Sequence, residues 1–333
     1  MNLLLTIGIT SYKRVNELVR CINSIQTKYC DDIEILVSED KSPLSRKIQS
    51  KVESLAQKSQ YAIRFTTNEV NVGYDMNLGS IINKSNGKYI FFMSDDDAIA
   101  ENSLDSIIEF LKQDNKYGVF YAPFMYMSNG KLDRVHGKDH VIPAGERSAA
   151  KYIYDSILFS GLIFRKDYVS KFDASRFKNY NYFQVYMFLE MLLHYGGYYF
   201  STPSVLCIGD GENAYGISES SGGNELLANR KSIKSNLEFN KTLIKVIRLF
   251  DSDELTHIID SFEKQYSFHS YSGLSIAREE GITYFKEYWD ILNQLDIKLY
   301  PICRVYYILL LLLGGKKTDR LLSGVKKIVK KEK

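Results

Sequence analysis

The chain has 333 residues, 45% of them hydrophobic and 25% charged, a balance that supplies a full apolar core and excludes a disordered protein or a small disulfide-stapled one. Its four cysteines, Cys21, Cys30, Cys207 and Cys303, form no C-x-x-C pair, so neither a zinc site nor a disulfide framework is indicated. The net charge of +3 is uneven: from Lys316 to Lys333 eight basic residues face two acids, a local +6, and no reading module accompanies them, which argues against nucleic-acid binding.

The first half alternates strand and helix patterns. Leu3–Thr10 is apolar and β-rich, with no basic segment or cleavage site of a signal peptide, and reads as a first strand. Arg14–Tyr29 places Val15, Leu18, Val19, Ile22 and Ile25 at helical spacing. Strand patterns follow at Ile33–Ser38, Ile63–Thr67 and Tyr89–Met93, and helix patterns at Leu44–Gln60, Asp75–Lys84 and Glu101–Gln113. Such a series predicts an α/β fold, a mostly parallel, Rossmann-like sheet with helices on both faces. Beyond it, Gly118–Met127 reads as one strand ending in a tight turn at Ser128-Asn129-Gly130. Glu146–Ile157 reads as a helix, Phe159–Arg165 as a strand, Tyr182–Tyr195 as an aromatic helix and Tyr198–Ile208 as extended. Gly209–Gly223 reads as a long mobile loop, and the chain from Asn224 onward as a helical C-terminal region.

Ligands of open α/β sheets bind at the carboxyl ends of the strands. Four strand ends carry polar clusters. After the first come Thr10, Tyr12 and Arg14, able to face a base and a phosphate, or simply to start a helix. After the second come Glu39 and Asp40, acceptors for a nucleobase or ribose, or an ordinary acidic turn. After the third, Asn71, Gly73, Asp75 and Asn77 offer hydrogen bonds and a close backbone approach. The fourth is the sharpest: Asp95, Asp96 and Asp97 directly follow a buried strand. Three adjacent carboxylates repel one another unless a cation neutralises them, and their oxygens suit Mg²⁺ or Mn²⁺.

In this order the segments resemble family 2 glycosyltransferases of the GT-A fold. Ile9–Arg14 is similar to V-P-x-Y-N-R, with Thr10 and Lys13 as departures, and Glu39-Asp40-Lys41-Ser42 to D-D-G-S. Asn71–Asn77 is similar to N-x-G-x-x-x-N, in a form resembling a branch that includes O-antigen abequosyltransferases. Asn86-Gly87-Lys88-Tyr89-Ile90 with the aspartates resembles G-x-Y-I-x-F-L-D-x-D-D, with Ser94 in place of the first Asp of D-x-D. Phe159–Lys166 resembles the F-x-G-x-x-x-R-R strand beside the acceptor, and Phe172-Asp173 the G-F-D after it. The resemblance covers residues 3–210. It implies a nucleotide-sugar donor bound by Thr10, Tyr12, Arg14, Glu39, Asp40, Asn71, Gly73, Asn77 and Asp95, and a divalent metal (Mn²⁺ or Mg²⁺) held by Asp96 and Asp97. It also implies a saccharide or lipid-linked oligosaccharide acceptor.

One family element is missing. The Glu-Asp expected on the acceptor-side helix is replaced by Tyr182-Phe183-Gln184-Val185-Tyr186, leaving Glu190, Asp210 and Glu212 as candidate bases and the stereochemistry open. His136 and His140 flank Gly137-Lys138-Asp139 in a loop pattern where zinc is not indicated.

The expected layout is a GT-A domain over residues 1–210, with a donor half at 1–115 and an acceptor half at 116–210. A mobile loop and helical extension occupy 211–298, and an apolar plus basic amphipathic tail 299–333. The uninterrupted apolar run after Arg304 is shorter than the roughly 20 residues of a membrane span. With the lysines beyond, it fits either docking on an anionic membrane surface, peripheral to the cytoplasmic face, or packing on the fold. The expected function is sugar transfer in bacterial surface polysaccharide synthesis. The rivals are a sugar-1-phosphate nucleotidyltransferase, which calls for a Gly-rich loop after the first strand that Thr10–Arg14 lacks, and a non-catalytic GT-A-like binding protein.

Overall fold

The structure is a computed structural model that describes residues 3–113, 116–210 and 233–322. The chain divides into two compact units, Met1–Asn224 and Glu225–Lys333.

In the first unit the strands are β1 (Leu5–Ser11), β2 (Ile33–Glu39), β3 (Ala62–Thr67), β4 (Tyr89–Ser94), β5 (Ala98–Ile99), β6 (Val119–Tyr121), β7 (Phe124–Tyr126), β8 (Leu132–Asp133), β9 (His140–Ile142), β10 (Ile163–Arg165), β11 (Gly197–Tyr199) and β12 (Val205–Cys207). The helices are α1 (Val15–Ser24), α2 (Ser45–Ala56), α3 (Tyr74–Lys84), α4 (Ser103–Leu111), α5 (Glu146–Lys151), α6 (Lys166–Val169) and α7 (Phe183–His194). An eight-stranded sheet runs in the order β3-β2-β1-β4-β10-β6-β11-β9. Only β10 and β9 run antiparallel to their neighbours. The carboxyl ends of β1, β2, β3, β4, β6 and β11 therefore share one edge, where the site must lie.

Alternation along β1 divides the two faces. Leu5, Ile7 and Ile9 join one buried cluster with Leu18, Cys21 and Ile22 of α1, Ile48 and Val52 of α2, and Leu104, Ile107 and Ile108 of α4. On the opposite face α3 lies so close that a Cβ on Gly8 would stand 2.4 Å from Ile81 Cγ2. All seven residues of β2 are buried, as a central parallel strand requires.

A polar staple closes the amino end of the sheet. Glu34 is buried and accepts hydrogen bonds from Thr6 Oγ1 (2.7 Å), Arg64 Nε (2.8 Å) and Asn86 N (2.6 Å) and Nδ2 (2.9 Å). Burial pushes its carboxyl up, but these donors outweigh burial and hold it below its ordinary value. The next residue must be glycine, because a Cβ on Gly87 would meet the Thr6 backbone nitrogen at 2.4 Å.

Four expected elements differ. Glu146–Ile157 is not one helix but α5, Glu146–Lys151, followed by a short 3₁₀ turn over Ile153–Ser156. The single strand over Gly118–Met127 is two, β6 in the large sheet and β7 in a second sheet of order β5-β12-β7-β8. Pro123 stands at the crossing, where it lacks an N–H for the ladder. The turn at Ser128-Asn129-Gly130 joins β7 to β8, with Gly130 at φ 67°. Tyr198–Ile208 likewise splits into β11 and β12. Of Phe159–Arg165 only Ile163–Arg165 is strand, because Gly161 at φ 85° turns the chain first.

The second unit contains α8 (Ile233–Arg248), α9 (Thr256–Glu280), α10 (Ile282–Leu292) and α11 (Pro301–Leu313). Part of the apolar stretch, for which membrane docking and packing were both open, packs within this unit. Cys303 and Leu310 of α11 are buried, Tyr307 stacks on Phe285 and Trp289, and Arg278 Nε donates to the Leu310 carbonyl at 3.1 Å. No helix of the described residues is long and apolar enough to cross a membrane. The lysines from Lys326 onward, and Glu212 in the 211–232 segment, lie outside the described residues.

Candidate active site

The loop after β1 turns at Lys13, whose φ of 64° is unusual for a side-chain-bearing residue. The turn aims Tyr12 N at Asp95 Oδ2 (3.2 Å) and the Arg14 guanidinium at Asp95 Oδ1 (2.9 Å) and Asp96 Oδ2 (3.1 Å). Thr10 pairs in register with Ser38 of β2 and Ser94 of β4, so the three strand ends lie side by side.

The loops after β2 and β3 are locked together by buried acids. Glu39 accepts from Ser42 N (2.7 Å) and Thr67 Oγ1 (3.0 Å). Asp40 accepts from Asn68 Nδ2 (2.9 Å), Val72 N (2.9 Å) and Gly73 N (2.8 Å), and burial raises its carboxyl against these bonds. Asn71 Oδ1 accepts from Gly73 N at 3.1 Å. Gly73, at φ 85°, ends the loop and starts α3. Asn77 uses its whole amide on the scaffold: Nδ2 donates to Ser38 O, and Oδ1 accepts from Ser38 Oγ and Asn68 Nδ2. Asp40 and Asn77 therefore shape the loop from behind, while Asn71 and Gly73 form its turn.

The three adjacent aspartates have three different duties. Asp95 is buried between Tyr12 and Arg14, and burial pushes it to about 7, with Arg14 opposing and Asp96 adding to the rise. Asp97 has both oxygens taken, Oδ2 by Ser160 Oγ (2.6 Å) and Oδ1 by Ile208 N (3.2 Å), and burial pushes it to about 6. Asp96 has a more open side chain than Asp95, 13% exposed against 3%, and contacts Arg14 and the Ser94 hydroxyl.

Among the described residues no three His, Cys, Asp or Glu side chains form a metal-ligand cluster. The donor set still fits a hard divalent cation, which takes one or two carboxylates and completes its shell with water and phosphate oxygens. Asp96 is the most exposed of the three carboxylates, although Oδ1 accepts from Ser94 Oγ and Oδ2 faces Arg14. Asp97, expected beside it, is committed to Ser160 and Ile208.

Sequence reading missed Arg20, which looked like an ordinary surface position on α1. It donates to the Asp96 carbonyl (2.9 Å) and grips Asp210 through both terminal nitrogens (2.8 and 2.7 Å). Asp210, a candidate base, is thus drawn to the aspartate cluster, and its hydrogen bond to Arg20 holds its carboxyl below the ordinary value. Glu190 is placed differently. It is about 10 Å along the α7 axis from Phe183 and faces His194 at 3.4 Å.

The start of α7 is tied to α3 by Asp75, which accepts from Asn181 N (2.8 Å) and Phe183 N (3.0 Å) and is pushed by burial to about 6. Gln184 is buried between the Tyr74 hydroxyl (3.0 Å) and the Ile157 carbonyl (3.1 Å). Where an acid was expected, the helix therefore offers a neutral amide.

The family model described as glycosyl transferase family 2 matches residues 6–177, just over half of the chain. Abequosyltransferase RfbV of Salmonella typhimurium is 31% identical over 104 residues, a stretch covering 31% of this chain and 31% of that protein. Residues 1–349 of TarS from S. aureus share the fold at a TM-score of 0.59 and 14% identity, over 82% of this chain and 74% of that one. A mannosyltransferase from Pyrobaculum calidifontis, solved with GDP-Man and Mn²⁺, aligns at a TM-score of 0.51 and 13% identity, over 93% and 86%. At these identities the structural likenesses establish the fold, which is GT-A.

The Asp97 environment yields a signed prediction. Its carboxyl is raised from 3.8 to about 6, so the folded state loses stability as pH rises through that interval and keeps the penalty above it. Asp97→Asn mimics the protonated form. The ligand-free variant is expected to melt above wild type at pH 8, with the gap closing toward pH 5 in thermal scans. A gap independent of pH would contradict the assignment.

Proposed function

Because the chain belongs to glycosyl transferase family 2, we propose that it moves a sugar from a nucleotide-sugar donor to a saccharide acceptor in bacterial surface polysaccharide synthesis. The observation that carries this reading is the convergence of four strand-end loops on one sheet edge, with Asp96 the open carboxylate beside Arg14. The nucleoside lodges between the Thr10–Tyr12 turn and the Glu39–Asp40 loop, and Asn71 and Gly73 bring backbone close to the ribose and sugar. Asp96 holds the divalent ion, which neutralises the leaving diphosphate when bound. Arg14 and Arg20 supply fixed positive charge beside the same position, so charge developing on the leaving group meets oriented donors. Asp95 and Asp97 keep the loops that carry these groups in place.

The acceptor in this reading is lipid-linked, and the transfer is inverting. The second unit supplies the reason for the lipid. Val305, Ile308 and Leu312 form an exposed apolar stripe on α11, Leu312 being 75% exposed, and Arg304, Lys316, Lys317 and Arg320 are exposed near it. An apolar stripe beside basic residues suits an anionic lipid surface at the cytoplasmic side. A second reading, a non-catalytic donor-binding protein, is favoured by Gln184 alone. It predicts donor binding with no turnover under any condition.

Two outcomes are expected. Asp96→Ala lowers donor turnover by ~10²–10³ and abolishes the tightening of donor binding by Mn²⁺; full turnover in that variant refutes the assignment. The full chain co-sediments with vesicles containing phosphatidylserine and less with neutral ones. The double change Ile308→Asp, Leu312→Asp weakens that binding, and equal binding to both vesicle types refutes the membrane reading.

A further inference from the structure

The missing acid on α7 leaves the acceptor half without an ordinary base, and a histidine–carboxylate pair stands close by. β6 and β11 end at Tyr121 and Tyr199, on the same sheet edge as the aspartates. β6 lies two strands from β4, about 10 Å across the sheet. Tyr121 donates its hydroxyl to Asp155 Oδ2 at 2.9 Å, and His136 Nε2 meets the same oxygen at 2.6 Å. The His136 backbone N–H donates to the Tyr199 hydroxyl at 3.0 Å, and the imidazole packs edge-on against Tyr152 and Tyr199.

Two landmarks bracket the pair. Asp155 is two residues before Ile157, whose carbonyl accepts from Gln184, the residue at the position of the expected acid. Arg134 is two residues before His136, buried, and donates through Nη1 to the Ser160 carbonyl at 3.2 Å. Ser160 in turn donates to Asp97. In the neutral imidazole, a hydrogen bond to an ionised carboxylate, which only accepts, places the proton on Nε2 and the lone pair on Nδ1. Nδ1 has no partner among the described residues, and the side chain is 26% exposed. A histidine oriented by a carboxylate through one nitrogen, with the other open, is the arrangement of a general base.

Resting on the transferase reading, we propose that His136 is the base of the transfer and Asp155 its positioning residue. The acceptor oxygen forms a bond to the anomeric carbon as the bond from that carbon to the diphosphate oxygen breaks. The electron pair of the broken bond leaves on the diphosphate. The hydroxyl proton passes to Nδ1, and Asp155 stabilises the resulting imidazolium. Water serves as the acceptor in the absence of a sugar, by the same steps.

The test uses the full chain with UDP-GlcNAc, GDP-Man and the CDP- and dTDP-hexoses, following nucleoside diphosphate release in water and donor Kd by calorimetry. His136→Gln is expected to lower release by ~10²-fold or more at unchanged donor Kd. His136→Ala is expected to recover with added imidazole, whereas Asp155→Asn loses rate at unchanged Kd and is not rescued. Release at the wild-type rate in His136→Gln overturns the assignment. So does a parallel loss of Tm and donor affinity in both His136 variants without imidazole rescue, which marks a structural role. A wild-type chain that neither binds nor hydrolyses any of these donors removes the transferase reading itself, a result distinguishable from failure of the base alone.

Discussion

Three consecutive carboxylates follow a strand buried at all but its last residue, and the rest of the site is arranged around making that tolerable. Left alone, Asp95, Asp96 and Asp97 would repel one another in a low-dielectric environment. Arg14 spans the first two, while Ser160 and the Ile208 amide hold the third. These contacts draw together the loop after β1, the turn before β10 and the end of β12, segments far apart in sequence. The edge proposed to bind ligand is therefore the edge where like charges have to be compensated. Asp96 is also held, by Ser94 and Arg14, but its side chain is the most exposed of the three, which makes it the carboxylate proposed to meet a cation.

The loops around this cluster use buried polar side chains as internal ties. Asp40 holds the 68–73 segment, Asp75 fastens the start of α7 to the start of α3, and Asn77 bonds β2 to α3. The burial that raises Asp75, Asp95 and Asp97 makes each ionised tie costly at neutral pH. A site that binds a polyanionic donor and a cation gains rigidity from such ties, because little is left to reorganise when charge arrives.

The fold of residues 1–115 was legible in sequence because its information is local. Short apolar runs and helical apolar spacing placed every main element from β1 to α4, and polar clusters at strand ends marked the loops. The strand end at Asp95–Asp97 stood out in sequence as a candidate site, but the different partners of its three residues did not, since they depend on Ser160 and Arg14 arriving from elsewhere. Arg20 was invisible for the same reason: nothing in α1 distinguishes it from a solvated arginine until Asp210 is placed beside it. Residues 116–210 were harder to read. Their strands are three residues or shorter, and Pro123 and Gly161 redirect the chain between two sheets within segments that look continuous. The His136–Asp155 pair joins residues on either side of β9 and α5, so spacing alone carried no sign of it.

The proposed function requires that the Asp96 edge bind a nucleotide-sugar with the help of a divalent ion. The most direct measurement is calorimetric titration of the purified chain with UDP-, GDP-, CDP- and dTDP-sugars in Mn²⁺, in Mg²⁺ and in EDTA. The account predicts that one nucleotide class binds with metal present and that EDTA removes or greatly weakens that binding. Binding of no donor under any condition, or equal binding with and without metal, would contradict it.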